Sequence, residues 1–170
     1  MISRPDPTEY APYYETYIKL VKENSVLEVL ENGIFKMQSA LSDIDEDKEN
    51  YAYAPGKWTI RELVGHMIDT ERIMTYRALS FARGEKEALP GYDENEYVKN
   101  SNSNSRKLVE MADEFSLLRG SSIALFKSFD ESALSRRGVA NKNGISVRAL
   151  IYIVAGHQAH HMNVLRERYL

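Results

Sequence analysis

Three of the four histidines, His157, His160 and His161, fall in the C-terminal stretch SVRALIYIVAGHQAHHMNVLRERYL. Within it Leu150, Val154, His157, His161, Val164 and Arg168 recur at alternating steps of four and three, the spacing of one helix face, so two imidazoles stand where a bundle helix would carry core leucines. Side chains four apart on a helix have Cβ atoms about 5–6 Å apart, which puts His157 and His161 within reach of one ion. His160 steps off that seam and is expected in a flanking role, at an interface or as a hydrogen-bond partner behind the pair. The remaining histidine, His66, lies far upstream in another helical apolar pattern. A fold that set it opposite the pair would give three nitrogen donors and at least one open coordination position. Three neutral imidazoles suit Zn, Ni, Co or Fe(II), and such an ion can bring the pKa of a bound water to about 7 or polarise a carbonyl or thiol. The expectation is a divalent metal held by His66, His157 and His161. The same spacing also suits histidines that merely fill a core or an interface, and the residues alone leave both readings standing.

No competing motif is stronger. HExxH is absent, and neither histidine-bearing segment contains the Glu-x-x-His pair of di-iron bundles. There is no P-loop and no Rossmann glycine pattern. Glu62 lies four before His66, but Thr59 and Glu62 form a capping box, which gives this carboxylate a structural task. Trp58 and Ile60 are expected to staple the entry of that helix or to pack in the core.

The elements that must position the histidines follow from periodicity and punctuation. Pro5, Pro7 and Pro12 predict an extended arm that lays its tyrosines on the bundle. A first helix is expected over 14–41, broken near 23–25, and then a long ordered connection over 42–56. The second helix starts at the Thr59 cap and stops near Gly84, with Leu63, Val64, Met67, Ile68, Met74 and Leu79 as its apolar stripe. A surface crossover over 84–105 contains Pro90, Gly91 and NSNSNS. A third helix over about 105–129 carries Leu108, Met111, Phe115, Leu118, Ser122, Leu125 and Phe129. After a turn region containing GVANKNG, Ser146 caps the last helix. No convincing strand is apparent, and the expected architecture is an all-α four-helix bundle with long crossover connections, forming a single domain over 1–170.

Composition narrows the partners. The 170 residues suffice for one sizeable core, and a formal charge of -3 shows no bias toward nucleic acid. Small-molecule or protein partners are expected. No apolar run approaches the length needed to span a bilayer, and the N-terminal residues lack the pattern of a signal peptide, so a cytoplasmic protein without membrane contact is expected. With no cysteine, the chain has no disulfide, no thiolate nucleophile and no Cys-type zinc site.

The segment YAPGKWTIRELVGHMIDTERIMTYRALSFARG, the loop LPGYDENEYV and the ending GHQAHHMNVLRERYL resemble the DinB-like superfamily of metal-dependent enzymes. The resemblance runs from about residue 51 to 170, and its most specific parts are KW-T-x-x-E-x-x-x-H and GHxxHH. It implies a four-helix bundle and a divalent ion, Zn or Ni first, held by His66, His157 and His161. It further implies a homodimer and a small-molecule substrate. The family includes transferases of low-molecular-weight thiols such as bacillithiol or mycothiol, and a thiol-dependent isomerase. Thiol S-transfer is therefore the first expectation, with metal-dependent hydrolysis second and a non-enzymatic metal-binding or metal-sensing dimer third.

Overall fold

The computed structural model describes residues 1–170. Its helices are α1 (Glu15–Ile18), α2 (Val26–Ser42), α3 (Ile60–Ala82), α4 (Glu94–Asn100), α5 (Leu108–Lys127), α6 (Glu131–Ser135) and α7 (Val147–Val164). The four long ones, α2, α3, α5 and α7, form the bundle, with α3 against both α5 and α7 and α2 against the same two. The chain starts as an arm of short 3-10 turns that buries Ile2 and Tyr10 and leads through α1 onto α7. The expected break in the first helix is real: residues 19–25 are non-helical, and Ser25 restarts the helix by accepting a hydrogen bond from the Glu28 N–H. Gly156 makes the close approach of α1 to α7 feasible, since a Cβ there would lie 2.1 Å from the Tyr17 carbonyl oxygen.

Two stretches expected to be irregular are structured. The crossover after α3 contains α4, whose first turn is capped by the Asp93 carboxylate on the Asn95 and Glu96 amides. The segment before α7 contains α6 and an antiparallel hairpin, β1 (Arg137–Ala140) and β2 (Asn143–Ser146), so the expectation of no strand is corrected. Its two loop residues, Asn141 and Lys142, both have positive φ (48° and 65°), the geometry of a type I′ turn that matches the twist of the paired strands. A turn was legible there; a Lys in the left-handed region hid the pairing. Leu89 bonds to Val139 and Asn141 along the hairpin edge and ties the crossover down.

The apolar core is divided. One cluster gathers the arm, α6, the hairpin and the adjoining ends of the four long helices. A second gathers Met37 and Leu41 of α2, Ile60 to Ile68 of α3, Leu108 to Phe115 of α5, and Met162, Leu165 and Tyr169. Between them lies a polar layer to which every bundle helix contributes. Arg119 of α5 makes a bidentate pair with Glu71 of α3 (2.8 Å on each arm) and donates to Gln158 Oε1 of α7 at 2.7 Å and to the Leu30 carbonyl of α2 at 3.1 Å. Gln158 in turn donates to the Gly33 carbonyl at 2.7 Å. Both charged side chains are essentially inaccessible (1% and 2%), and a buried ion pair is tolerated only when its remaining hydrogen-bonding capacity is met, as it is here. This layer fixes the rotation of α7 at the residue next to His157.

Candidate metal centre

His66 enters from α3, in the second turn after the cap. That cap holds as expected: Thr59 Oγ1 accepts from the Glu62 N–H at 3.1 Å, and Glu62 accepts from the Thr59 N–H at 2.8 Å. Asn104, from the crossover, locks the box from outside, accepting from Thr59 Oγ1 at 2.6 Å and donating to Glu62 at 2.9 Å. Glu62 is thus occupied at the helix start. His157 and His161 enter from α7, whose first turn is capped by Ser146 on the Ala149 amide at 3.1 Å.

The three histidines expected to share an ion are brought together. Nε2 of His157 lies 3.0 Å from Nε2 of His66 and 3.0 Å from Nε2 of His161, and the candidate ligand atoms all fall within 4.8 Å of one another. All three rings are buried, with 4%, 6% and 8% exposure for His66, His157 and His161. Burial, with the neighbouring imidazoles adding to it, pushes His66 down to about 4 and His161 down to about 3, and holds His157 well below the ordinary histidine range. The rings are neutral near pH 7, so each keeps a lone pair for coordination.

As a hydrogen-bonded cluster the arrangement is incomplete. Nε2 of His157 carries either one proton or one lone pair, yet faces two partners at the same distance. Nδ1 of His161 is buried without any partner. Buried polar atoms are normally satisfied, and three convergent neutral nitrogens are what a divalent ion with N ligands requires. The donor set suits such an ion; with three protein nitrogens it leaves coordination positions free for a reactant.

Aromatic rings wall the centre. Trp58 lies over His66 with ring centroids 4.6 Å apart, and its carbonyl accepts from the Tyr169 hydroxyl at 2.7 Å. Trp58 therefore does more than staple the helix entry. Tyr17 meets His157 edge-on at 5.4 Å and His160 at 5.5 Å. His160 stays outside the cluster, half-buried beside the His161 ring, and makes no hydrogen bond within the chain. The flanking position expected for it is found; the hydrogen bond is not.

Two cavities reach the histidines from different sides. One, of about 160 Å³, lies between the arm, α3, the crossover and α7 and ends on His157. The other, of about 280 Å³, is lined by Trp58, Lys57, Tyr169 and Asn95 and ends on His160 and His161. Neither the walls nor the polar layer were read from the sequence, although Glu71 and Arg119 gave a signal. Each lies three before and four after residues of its own inward stripe, Met67 and Met74 for Glu71, Phe115 and the small Ser122 for Arg119, so each charge stands in core register.

Comparison with known proteins places these features in a wider set. Residues 30–165 match the DinB superfamily. A protein of Oceanobacillus iheyensis named as a candidate metal-dependent hydrolase is 23% identical over 140 residues, covering 80% of this chain and 79% of that protein. Among solved structures, YfiT from Bacillus subtilis, described as a probable metal-dependent hydrolase with an unusual four-helix bundle topology, superposes with a TM-score of 0.77 at 22% identity, over 84% of this chain and 82% of that one. A mycothiol-dependent maleylpyruvate isomerase superposes with a TM-score of 0.67 at 13% identity, over 81% of this chain and 58% of the isomerase.

Proposed function

The chain belongs to the DinB superfamily, and from that footing we propose that it is a metal-dependent enzyme acting on small molecules, with a divalent ion, Zn or Ni first, held by His66, His157 and His161. The observation that carries this reading is the convergence of three neutral, buried Nε2 atoms at a point that cavities approach from two sides. Bound there, the ion would supply Lewis-acid chemistry, favouring the ionised form of a thiol or water and polarising an electrophile. The protein's own residues do the rest. Burial keeps the imidazoles unprotonated, Trp58 and Tyr17 fix ring planes and exclude bulk water, and the Arg119 layer holds α7 in register.

Transfer of a low-molecular-weight thiol of the bacillithiol type to an electrophilic acceptor is the first reaction we assign. Separate cavities allow two reactants to meet at one centre, and a chain without cysteine must receive its sulfur from a substrate. The fold shared with a mycothiol-dependent isomerase is consistent with this. Hydrolysis is the second reading, favoured by the descriptions of the Oceanobacillus and Bacillus relatives, with water taking the place of the thiol. A homodimer of single-domain chains completes the proposal.

Elemental analysis of purified protein beside His66→Ala, His157→Ala and His161→Ala tests the site. About one ion per chain is expected in the parent and a large loss in each variant. Metal in the parent that survives all three substitutions defeats the assignment. The loaded protein is then offered electrophiles with a panel of thiols, and ester or amide substrates without them. Turnover only in the second set moves the assignment to hydrolase, and turnover in neither leaves the third reading, in which metal removal lowers the melting temperature and nothing else.

A further inference from the structure

Arg77 is a buried cation without a counter-ion. It is 3% exposed and takes part in no salt bridge, while the other deeply buried arginine, Arg119, is fully paired. One of its five N–H donors reaches the Pro90 carbonyl at 2.8 Å and another the Met74 sulfur at 3.7 Å. Its guanidinium stands 6.0 Å from the Tyr92 ring centroid and lines the cavity that ends on His157. Desolvating a guanidinium costs heavily unless an anion or several acceptors meet it, and the protein supplies only neutral ones, the Pro90 carbonyl, the Met74 sulfur and the Tyr14 hydroxyl.

The rest of that cavity is furnished for an oxyanion. The Tyr92 and Thr70 hydroxyls pair at 2.9 Å on its wall, and Tyr14 lies beside Arg77. The carboxylate that also lines the cavity belongs to Glu94, which is exposed and makes no ion pair with the guanidinium. One interior cation with one acidic group beside it favours a ligand end of single negative charge over a phosphate dianion. His66, Thr70 and Arg77 follow one another on α3; by helical rise the Thr70 backbone lies about 6 Å and the Arg77 backbone about 16 Å from His66, and the Arg77 side chain reaches back toward Tyr92, which pairs with Thr70. A carboxylate held between Arg77 and the Thr70–Tyr92 pair therefore lies about one to two helical turns from His66, a few bonds from whatever atom lies at the histidines.

We propose that Arg77, with the Thr70 and Tyr92 hydroxyls, is the anchor for a substrate carboxylate, so that the small molecule entering by this cavity is a short monocarboxylate that reacts a few bonds from its acid group. The assignment rests on the reading of the histidine cluster as the reaction centre, but the anchor itself is testable apart from it. A planar guanidinium accepts a carboxylate through two parallel hydrogen bonds, which an ammonium or an amide cannot reproduce. It therefore selects among ligands by their terminal group.

The probe is propionate, with propionamide as its neutral counterpart, titrated into the metal-loaded protein at fixed ionic strength and followed by NMR at the Arg77 Nε–H and the Tyr92 ring. Propionate is expected to shift these signals and propionamide to bind at least tenfold more weakly. Arg77→Gln should weaken propionate at least tenfold with the metal content by elemental analysis unchanged, and Arg77→Lys should recover only part of it. Should Arg77→Gln fail to fold, Tyr92→Phe removes one donor without touching charge and should weaken propionate severalfold. Equal affinity for the acid and the amide overturns the anchor, as does propionate binding that ignores Arg77→Lys and Tyr92→Phe or vanishes only when the metal is removed. Absence of metal in the parent protein would instead strike at the histidine reading, while the response of propionate to the Arg77 variants would still decide the anchor.

Discussion

Neutral imidazoles in a buried site give the metal-free protein a definite sensitivity to acid. An unfolded histidine titrates near about 6.5, whereas in the fold His66 resists protonation down to about 4 and His161 down to about 3. Between those values the unfolded chain binds more protons than the native one, so stability rises with pH in that window. Above about 7.5, a unit beyond the unfolded value, both states are neutral at these rings and the term is flat. Urea unfolding of metal-free protein should therefore show no histidine-linked slope above that point and a fall in stability below it. The slope can reach about 1.4 kcal/mol per pH unit for each ring fully engaged. His161→Leu should make the fall shallower; an unchanged slope in that variant would mean that carboxylates elsewhere dominate the acid response. What could be read in advance at this scale was residue type in helical register, which is why His66, His157 and His161 were expected together, and the fold brings them together. The partners of a side chain across the bundle do not follow from register, so Trp58 over His66 and the Arg119 pairing came only with the fold.

At the scale of the element, the capped start of α3 sets where His66 lies. Thr59 satisfies the Glu62 amide, and its hydroxyl also donates to Asn104 of the crossover. Thr59→Ala should lower stability by about 1 kcal/mol, seen as a shift in the denaturation midpoint with an unchanged slope. Loss of much more would show that the Asn104 bridge, rather than the cap, is the main contribution of this residue. The helices were legible because caps and stripes are local: the Thr59 box, the Ser146 cap and the break before Ser25 all stand where periodicity placed them. The short pieces were not. α4 spans only Glu94–Asn100, and β1 and β2 are stabilised by pairing with each other and with Leu89, so their signals lie in contacts rather than in any one window. Similarly, the chain after α7 widens into a single π-helical turn, Leu165–Tyr169, where plain continuation of the helix was expected.

At the scale of the molecule, the arrangement is a bundle whose core is cut by a polar layer, with the candidate centre beside that layer and a cavity on either flank. The four-helix architecture was legible, since long amphipathic stripes with long connections leave few alternatives. The division of the core was not, because it depends on side chains of α3, α5 and α7 and two backbone carbonyls of α2 meeting at the same height.

The separation of the candidate ligands along the chain has a further consequence. His157 and His161 are neighbours on one helix, but His66 is 91 residues before His157. In a protein without disulfides, an ion shared by all three would act as a removable cross-link closing a long loop, and its effect on folding depends on what the denatured chain retains. That chain still has the HxxxH pair and can hold an ion weakly, which reduces the gain. His66 would be the ligand that only the native state can add. Metal should accordingly raise the unfolding midpoint of the parent strongly and that of His66→Ala hardly at all, as followed by thermal denaturation with and without added Zn. The local pair would then serve as a landing site, and the distant histidine as the clasp that makes occupancy report on the folded state.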